Sequence, residues 1–244
     1  GVPMHHHALP DSVALTPIGF VRSCFDDRFG TPRQPGLVPS ATAELVLLPP
    51  YDHPDSLRGL ETCSHVWLLF LFHANAGQGW SPTVRPPRLG GNRRLGVYAT
   101  RSPFRPNPIG LSVVELAGLL ERPGQRGLLR RNHDLVDGTP VLDIKPYIPY
   151  SEALPSAQPP AGFGEPPRRW PVRFREQALR QLADKPRALR GLIEETLALD
   201  PRPAYRQAES GRQHGVWLAG YNVRWQVLDG VVWVEQVEPR AERS

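Results

Sequence analysis

Lysine is almost missing from this chain: of 29 basic residues only Lys145 and Lys185 are lysines, and the others are arginines. With just two cysteines, Cys24 and Cys63, a disulfide framework or a zinc site of cysteines alone is excluded, and free thiols of a cytosolic protein are expected. Long apolar runs are missing too. The longest candidate, 66–72, has the length of a strand and not the roughly 18 residues of a membrane-crossing helix, so no membrane association is expected. Gly-rich phosphate loops of both common kinds are absent, since Gly90-Gly91 stands alone, and no histidine pair has helical metal-binding spacing. A doubly wound dinucleotide-type fold is therefore disfavoured and no metal is expected. The opening residues 1–7 lack a charged segment followed by an apolar one, so a secretory signal is not expected, and His5-His6-His7 reads as a solvated tail. Acid is missing from 62–114, where no Asp or Glu occurs, while Arg85, Arg88, Arg93, Arg94, Arg101 and Arg105 all fall inside that segment. That asymmetry, more than the net charge of +5 and pI near 9.6, predicts a local positive field suited to a polyanion.

What the chain does have is short apolar or alternating segments punctuated by 29 prolines and 22 glycines. Segments 16–22, 43–48, 66–72, 95–100 and 111–119, with weaker ones at 127–131 and 141–144, read as strands of a mainly β core. A short helix is expected at 54–59, capped by Asp55. Residues 154–171 are Pro-, Ala- and Gly-rich without periodicity and read as a linker. Beyond it, 174–199 has helical spacing of leucines, and 216–218, 221–228 and 231–237 read as strands, the last two joined by an Asp229-Gly230 hairpin turn. The expected domains are 13–153, a linker at 154–171, and a small α+β unit at 172–240.

Several segments carry polar groups on stiff backbone. Arg101-Ser102-Pro103-Phe104-Arg105-Pro106-Asn107-Pro108-Ile109-Gly110 has three prolines in six residues, which fixes torsions and presents Arg101, Arg105 and Asn107 either to a ligand or merely to solvent. Thr31-Pro32-Arg33-Gln34-Pro35-Gly36 has the same character. Arg85 and Arg88 could meet phosphates at fixed separation or sit solvated. Asp137-Gly138 reads first as a hairpin turn, with a ligand-binding carboxylate as the alternative. His65 and His73 flank an apolar run, where each could be functional or simply end a strand. Trp217, Tyr221, Trp225 and Trp233, with Arg224 between them, could stack bases or form core.

The strings Arg33-Gln34-Pro35-Gly36-Leu37-Val38, Arg58-Gly59-Leu60-Glu61, Ser64-His65-Val66-Trp67, 83–92, 99–110, 134–143, Lys145-Pro146-Tyr147 and Asp200-Pro201-Arg202-Pro203-Ala204-Tyr205 resemble the successive motifs of the TsaA-like family, in its bacterial TrmO-type branch. The resemblance implies an antiparallel β-barrel methyltransferase domain followed by a small α+β C-terminal domain, in a cytoplasmic homodimer. It implies S-adenosylmethionine as cofactor, held by Arg33, Gln34 and Pro35, by His73, Ala74 and Asn75, by Arg101 and Leu111, and by Arg131, Asn132, His133 and Asp134. The implied reaction methylates N6 of N6-threonylcarbamoyladenosine beside the anticodon, in threonine tRNA. Asn107, Asp137, Lys145 and Tyr147 are the candidates for holding base and threonyl carboxylate. The tRNA backbone would meet Arg85, Arg88, Arg93, Arg94 and Arg105, and the anticodon arm Tyr205, Asn222, Arg224 and Trp225. Two other readings stay open: a non-catalytic RNA-binding module, and a TsaA-like methyltransferase with another acceptor.

Overall fold

The computed structural model describes residues 8–23, 42–72, 79–86, 93–131, 135–161, 163, 168–199, 202 and 211–239. The mainly β expectation holds. Strands β1 (Gly19–Ser23), β2 (Thr42–Leu47), β3 (His65–Leu71), β6 (Ile109–Arg122), β7 (Gln125–Arg131) and β8 (Pro140–Pro146) pair in the cyclic order β1-β2-β7-β6-β3-β8, every pairing antiparallel. Two short strands, β4 (Thr83–Val84) and β5 (Leu95–Gly96), form a separate hairpin.

Strand period two explains which side chains fill the ring. In β3, Val66, Leu68 and Phe70 are buried while His65, Trp67, Leu69 and Leu71 alternate with them on the outer side. They meet Val21, Leu45, Leu47, Val114, Leu128 and Val141 in one cluster. Each such side chain contributes about 1.5–3 kcal/mol when fully buried. Gly127 is a glycine by necessity: a Cβ there would lie 1.7 Å from the Leu45 carbonyl oxygen of the neighbouring strand.

Three local expectations need correction. Segment 95–100 is only a two-residue strand followed by a 3₁₀ turn over Val97–Ala99, because Thr100 Oγ1 and Thr100 N both bond the Val97 carbonyl and curl the chain. The turn at Pro54–Leu57 is 3₁₀ and is capped by His53, whose Nδ1 accepts from Asp55 N at 3.1 Å; Asp55 itself sits inside the turn. The helical stretch at 174–199 is two helices, α2 (Glu176–Leu182) and α3 (Arg187–Leu197), since Pro186 has no N–H to continue the first. A single turn, α1 (Pro149–Glu152), follows the ring, and its Glu152 carboxylate accepts from Trp67 Nε1.

The C-terminal part has its own core. β9 (Val172–Phe174) lies parallel to β12 (Val231–Pro239), which pairs with β11 (Tyr221–Leu228) and then β10 (His214–Leu218). Leu189, Leu192, Ile193 and Leu197 on α3, spaced for one helix face, pack on Val216, Val223, Trp225, Val227, Val232 and Val234. Asp229 and Gly230 both have positive φ, 51° and 75°, as the expected two-residue hairpin turn requires.

Candidate active site

Alternating strand direction decides where the loops go. Going round the ring, β1 ends, β2 begins, β7 ends, β6 begins, β3 ends and β8 begins at one and the same rim. The connections 24–41, 72–108 and 132–139 therefore all leave from that rim, whereas the β2–β3 and β6–β7 connections lie at the other. The strand ends that flank these three connections thus share one rim, although they are up to about a hundred residues apart in sequence.

Of the positions expected to hold cofactor, Arg33, Gln34, Pro35, His73, Ala74, Asn75, Asn132, His133 and Asp134 lie outside the described residues. Arg131 is the last residue of β7, opposite Thr42 and Glu115. Leu111 lies two residues into β6 with its side chain 48 % exposed, and Arg101 is exposed in the connection before it. An apolar surface for a purine or thioether and a cation for a carboxylate therefore occur on this rim, which fits S-adenosylmethionine chemically. A cleft of about 540 Å³ beside the ends of β1, β2 and β7 is lined by Arg22, Ser23, Ala43, Glu44, Ala117, Leu129 and Arg130. Sequence reasoning singled out Arg131 and passed over Arg130. Strand alternation turns Arg130 to the buried side, where it is 1 % exposed, and only the strand register could reveal that.

The proline-rich connection is stiff for reasons beyond its prolines. Ser102 N donates to Thr100 Oγ1 at 3.2 Å and Phe104 N to Ser102 Oγ at 3.1 Å. Arg105 Nη1 donates to the carbonyls of Thr100 at 2.9 Å and Ser102 at 3.2 Å. Arg105, expected on the tRNA backbone, is thus committed to bracing its own loop. The hairpin β4–β5 is extended by Val97 N to Pro82 O and joins the same loop through Ser81 N to Phe104 O. It carries Arg85 and Arg93, both exposed, and Arg94, whose Nη1 donates to Thr83 Oγ1 at 2.9 Å. Arg88 lies outside the described residues.

The four substrate-holding candidates separate into two pairs. Asn107 is exposed just before β6 and Asp137 just before β8, so both belong to the loop rim. Asp137 lies in a turn closed by Thr139 N to Val136 O, with Gly138 at φ 81°, and its Oδ1 accepts from Ser23 N at 2.8 Å. It joins β7 to β8, which are not neighbours, so the turn is not the expected hairpin. Lys145 lies in the last residues of β8 and Tyr147 just past it, about 20 Å along the strand from the end where Asp137 stands. There Lys145 Nζ is 3.3 Å from Asp143 Oδ2, and Tyr147 packs on Trp67 with centroids 5.8 Å apart. Within one chain the fold does not bring them to Asn107 and Asp137. His65 is at that far rim too, its Nδ1 2.9 Å from Ser64 Oγ.

Among the expected anticodon-arm contacts, Trp225 is corrected: it is 1 % exposed and packs within the C-terminal core, because its strand position alternates inward with Val223 and Val227. Arg224 is exposed and Asn222 partly so on the opposite face, and Tyr205 lies outside the described residues.

Comparison with known proteins now bears on this arrangement. The family profile of the tRNA-methyltransferase O N-terminal domain matches residues 20–153, and that of the TrmO C-terminal domain matches 167–240. The chain belongs to the TrmO family. A tRNA (adenine(37)-N6)-methyltransferase of Escherichia coli is 50 % identical over 227 residues, covering 91 % of this chain and 97 % of that protein. A Pseudomonas aeruginosa protein classed with S-adenosylmethionine-dependent methyltransferases is 51 % identical over 217 residues, covering 87 % of this chain and 91 % of its own length. The crystal structure of TrmO from Pseudomonas aeruginosa superposes with a TM-score of 0.76 at 42 % identity, covering 93 % of this chain and 98 % of that one.

Proposed function

We propose that this chain is an S-adenosylmethionine-dependent tRNA methyltransferase that methylates N6 of N6-threonylcarbamoyladenosine at position 37, in threonine tRNA. The observation that carries the reading is the convergence, in a TrmO-family chain, of the three long connections on one rim of the strand ring. We read that closed ring as the TsaA-like β-barrel, with domain limits 13–153 and 172–240 joined by 154–171. A cytoplasmic homodimer is part of the same reading. Large apolar side chains left exposed, Tyr98 at 77 % and Tyr150 at 90 %, are consistent with a further covering surface.

When bound, S-adenosylmethionine supplies an electrophilic methyl group on a sulfonium sulfur. The acceptor nitrogen is conjugated to a carbonyl, so its lone pair is delocalised and its proton must leave as the new N–C bond forms and the S–C bond breaks. The chain contributes position, exclusion of water and a path for that proton. Arg101 and Leu111 would hold the cofactor's carboxylate and an apolar part of it. Asn107 and Asp137, on the same rim, would hold the modified base: Asn107 offers an amide, and the second oxygen of Asp137 accepts a proton or a hydrogen bond while the first stays on Ser23 N. Lys145 and Tyr147 stand outside this set in the same chain.

The test is nucleoside mass spectrometry after the purified chain is incubated with labelled S-adenosylmethionine and tRNA lacking the modification. Label on N6-threonylcarbamoyladenosine alone is expected. Label on another nucleoside would keep the transferase and replace the acceptor, and no label with intact cofactor binding would favour a non-catalytic RNA-binding module.

A further inference from the structure

The C-terminal sheet has two unlike faces. Val172 and Phe174 on β9, Val232 and Val234 on β12, Val223, Trp225 and Val227 on β11, and Val216 and Leu218 on β10 all turn to the helices. Register sends the alternating residues to the other side. Gln226, Trp233 and Arg173 lie in one row across β11, β12 and β9, and Trp217 pairs with Asn222 across β10 and β11. Arg224, on the same side of β11, is exposed, as is Arg173, while both tryptophans, Asn222 and Gln226 are partly exposed. Two guanidiniums cluster at one indole: Cζ of Arg175 is 4.0 Å from the Trp233 ring centroid, and Cζ of Arg173 is 5.9 Å away. The face also carries Glu235 and Glu238, and Gln213 Nε2 donates to Glu235 Oε2 at 3.3 Å. Three arginines against two acids leave the face net positive, with the arginines concentrated at the β9–β12 side.

We propose that this face is a stacking platform for unpaired nucleotides of the tRNA anticodon loop, centred on Trp233 with Arg173 and Arg175, and extended by Arg224, Gln226 and Asn222. The assignment rests on the tRNA reading above and names the part of the tRNA this unit grips. A guanidinium stacked on an indole is pre-ordered: it offers an outer plane to a base and its N–H edge to a phosphate. Aromatic rings on a sheet accept any base, because every base has a π-face, and side-chain amides beside them read base edges. A paired stem hides its bases, so the occupant is the loop. A protein partner is disfavoured by the shortage of aliphatic side chains on this face.

The test measures affinity of the full-length chain for a fluorescently labelled anticodon stem-loop RNA, and for the same stem closed without the loop. Wild type is expected to prefer the stem-loop. Trp233→Leu, and separately the double variant Arg173→Gln/Arg175→Gln, should each weaken stem-loop binding on the order of tenfold while leaving S-adenosylmethionine affinity unchanged, and Trp233→Phe should retain most of the binding. Equal stem-loop affinity in Trp233→Leu and wild type would overturn the platform. So would an equal loss in Trp233→Leu and Trp233→Phe, or a loss of cofactor affinity in step with RNA affinity, since either marks a structural role. If wild type binds the stem-loop through Trp233 but labels no tRNA nucleoside, the platform stands and the methyl-acceptor reading fails.

Discussion

At the scale of single residues, the geometry separates groups that hold the protein together from groups left for chemistry. Arg105 bridges the Thr100 and Ser102 carbonyls of its own loop through a single nitrogen, Nη1, which pins the turn from inside. Arg105→Met removes both bonds while keeping an unbranched side chain, so turnover should fall by about tenfold or more with little change in the salt dependence of tRNA binding; a role on the tRNA backbone would instead flatten that salt dependence. In the proposed function Asp137 is divided between its bond to Ser23 N and the modified base. Asn in its place still accepts from Ser23 N, so Asp137→Asn should melt within about 1 kcal/mol of wild type, yet lose at least about tenfold in turnover with S-adenosylmethionine affinity preserved. Wild-type turnover in that variant would remove Asp137 from the site. Gly127 has no room for a methyl group against Leu45 O; Gly127→Ala should cost about 2–4 kcal/mol by prising β7 from β2, read as a lower melting temperature.

At the scale of elements, the sheets owe their register to turns and to close approaches. The β11–β12 hairpin depends on two consecutive positive φ values at Asp229 and Gly230. Gly230→Ala places a Cβ at φ 75°, where space is adequate but the backbone conformation is not, and should destabilise by about 1 kcal/mol. Because that hairpin sets the pairing of Gln226 with Trp233, the same variant should weaken binding of the anticodon stem-loop while sparing the cofactor. Stem-loop affinity equal to wild type would show that the turn does not position the platform. The break between α2 and α3 was legible in Pro186, yet the leucine spacing on both sides concealed it, since two short helices packing on one sheet share a common apolar rhythm.

At the scale of the whole molecule, the strand ring and the four-stranded sheet have separate cores, and the proposed function assigns catalysis to the first and tRNA recognition to the second. Truncation after Pro171 should therefore weaken tRNA binding by at least about tenfold and leave S-adenosylmethionine binding within about twofold, measured by calorimetry for the cofactor and anisotropy for the RNA. Equal tRNA affinity would sink the division of labour. The same argument predicts that tRNA affinity falls steeply with salt and cofactor affinity does not, because only the former releases counterions from phosphates.

The sequence by itself determined most of the segments that become strands, though not the curl at 97–99 or the short strand β9, together with the hairpin turn at Asp229-Gly230, the arginine-rich segment free of acid, and the family, because each of these is written in local pattern or in strings of adjacent residues. The tertiary structure alone decided which loops share a rim, since that depends on the cyclic order of antiparallel strands and not on separation along the chain. It put Asn107 and Asp137 on that rim and Lys145 and Tyr147 at the other, although Asp137 and Lys145 are only eight residues apart. It also chose between Trp225 and Trp233: the two belong to strands of similar composition, and only register, with a bulge between Arg224 and Trp225, sends one ring into the core and the other to the open face.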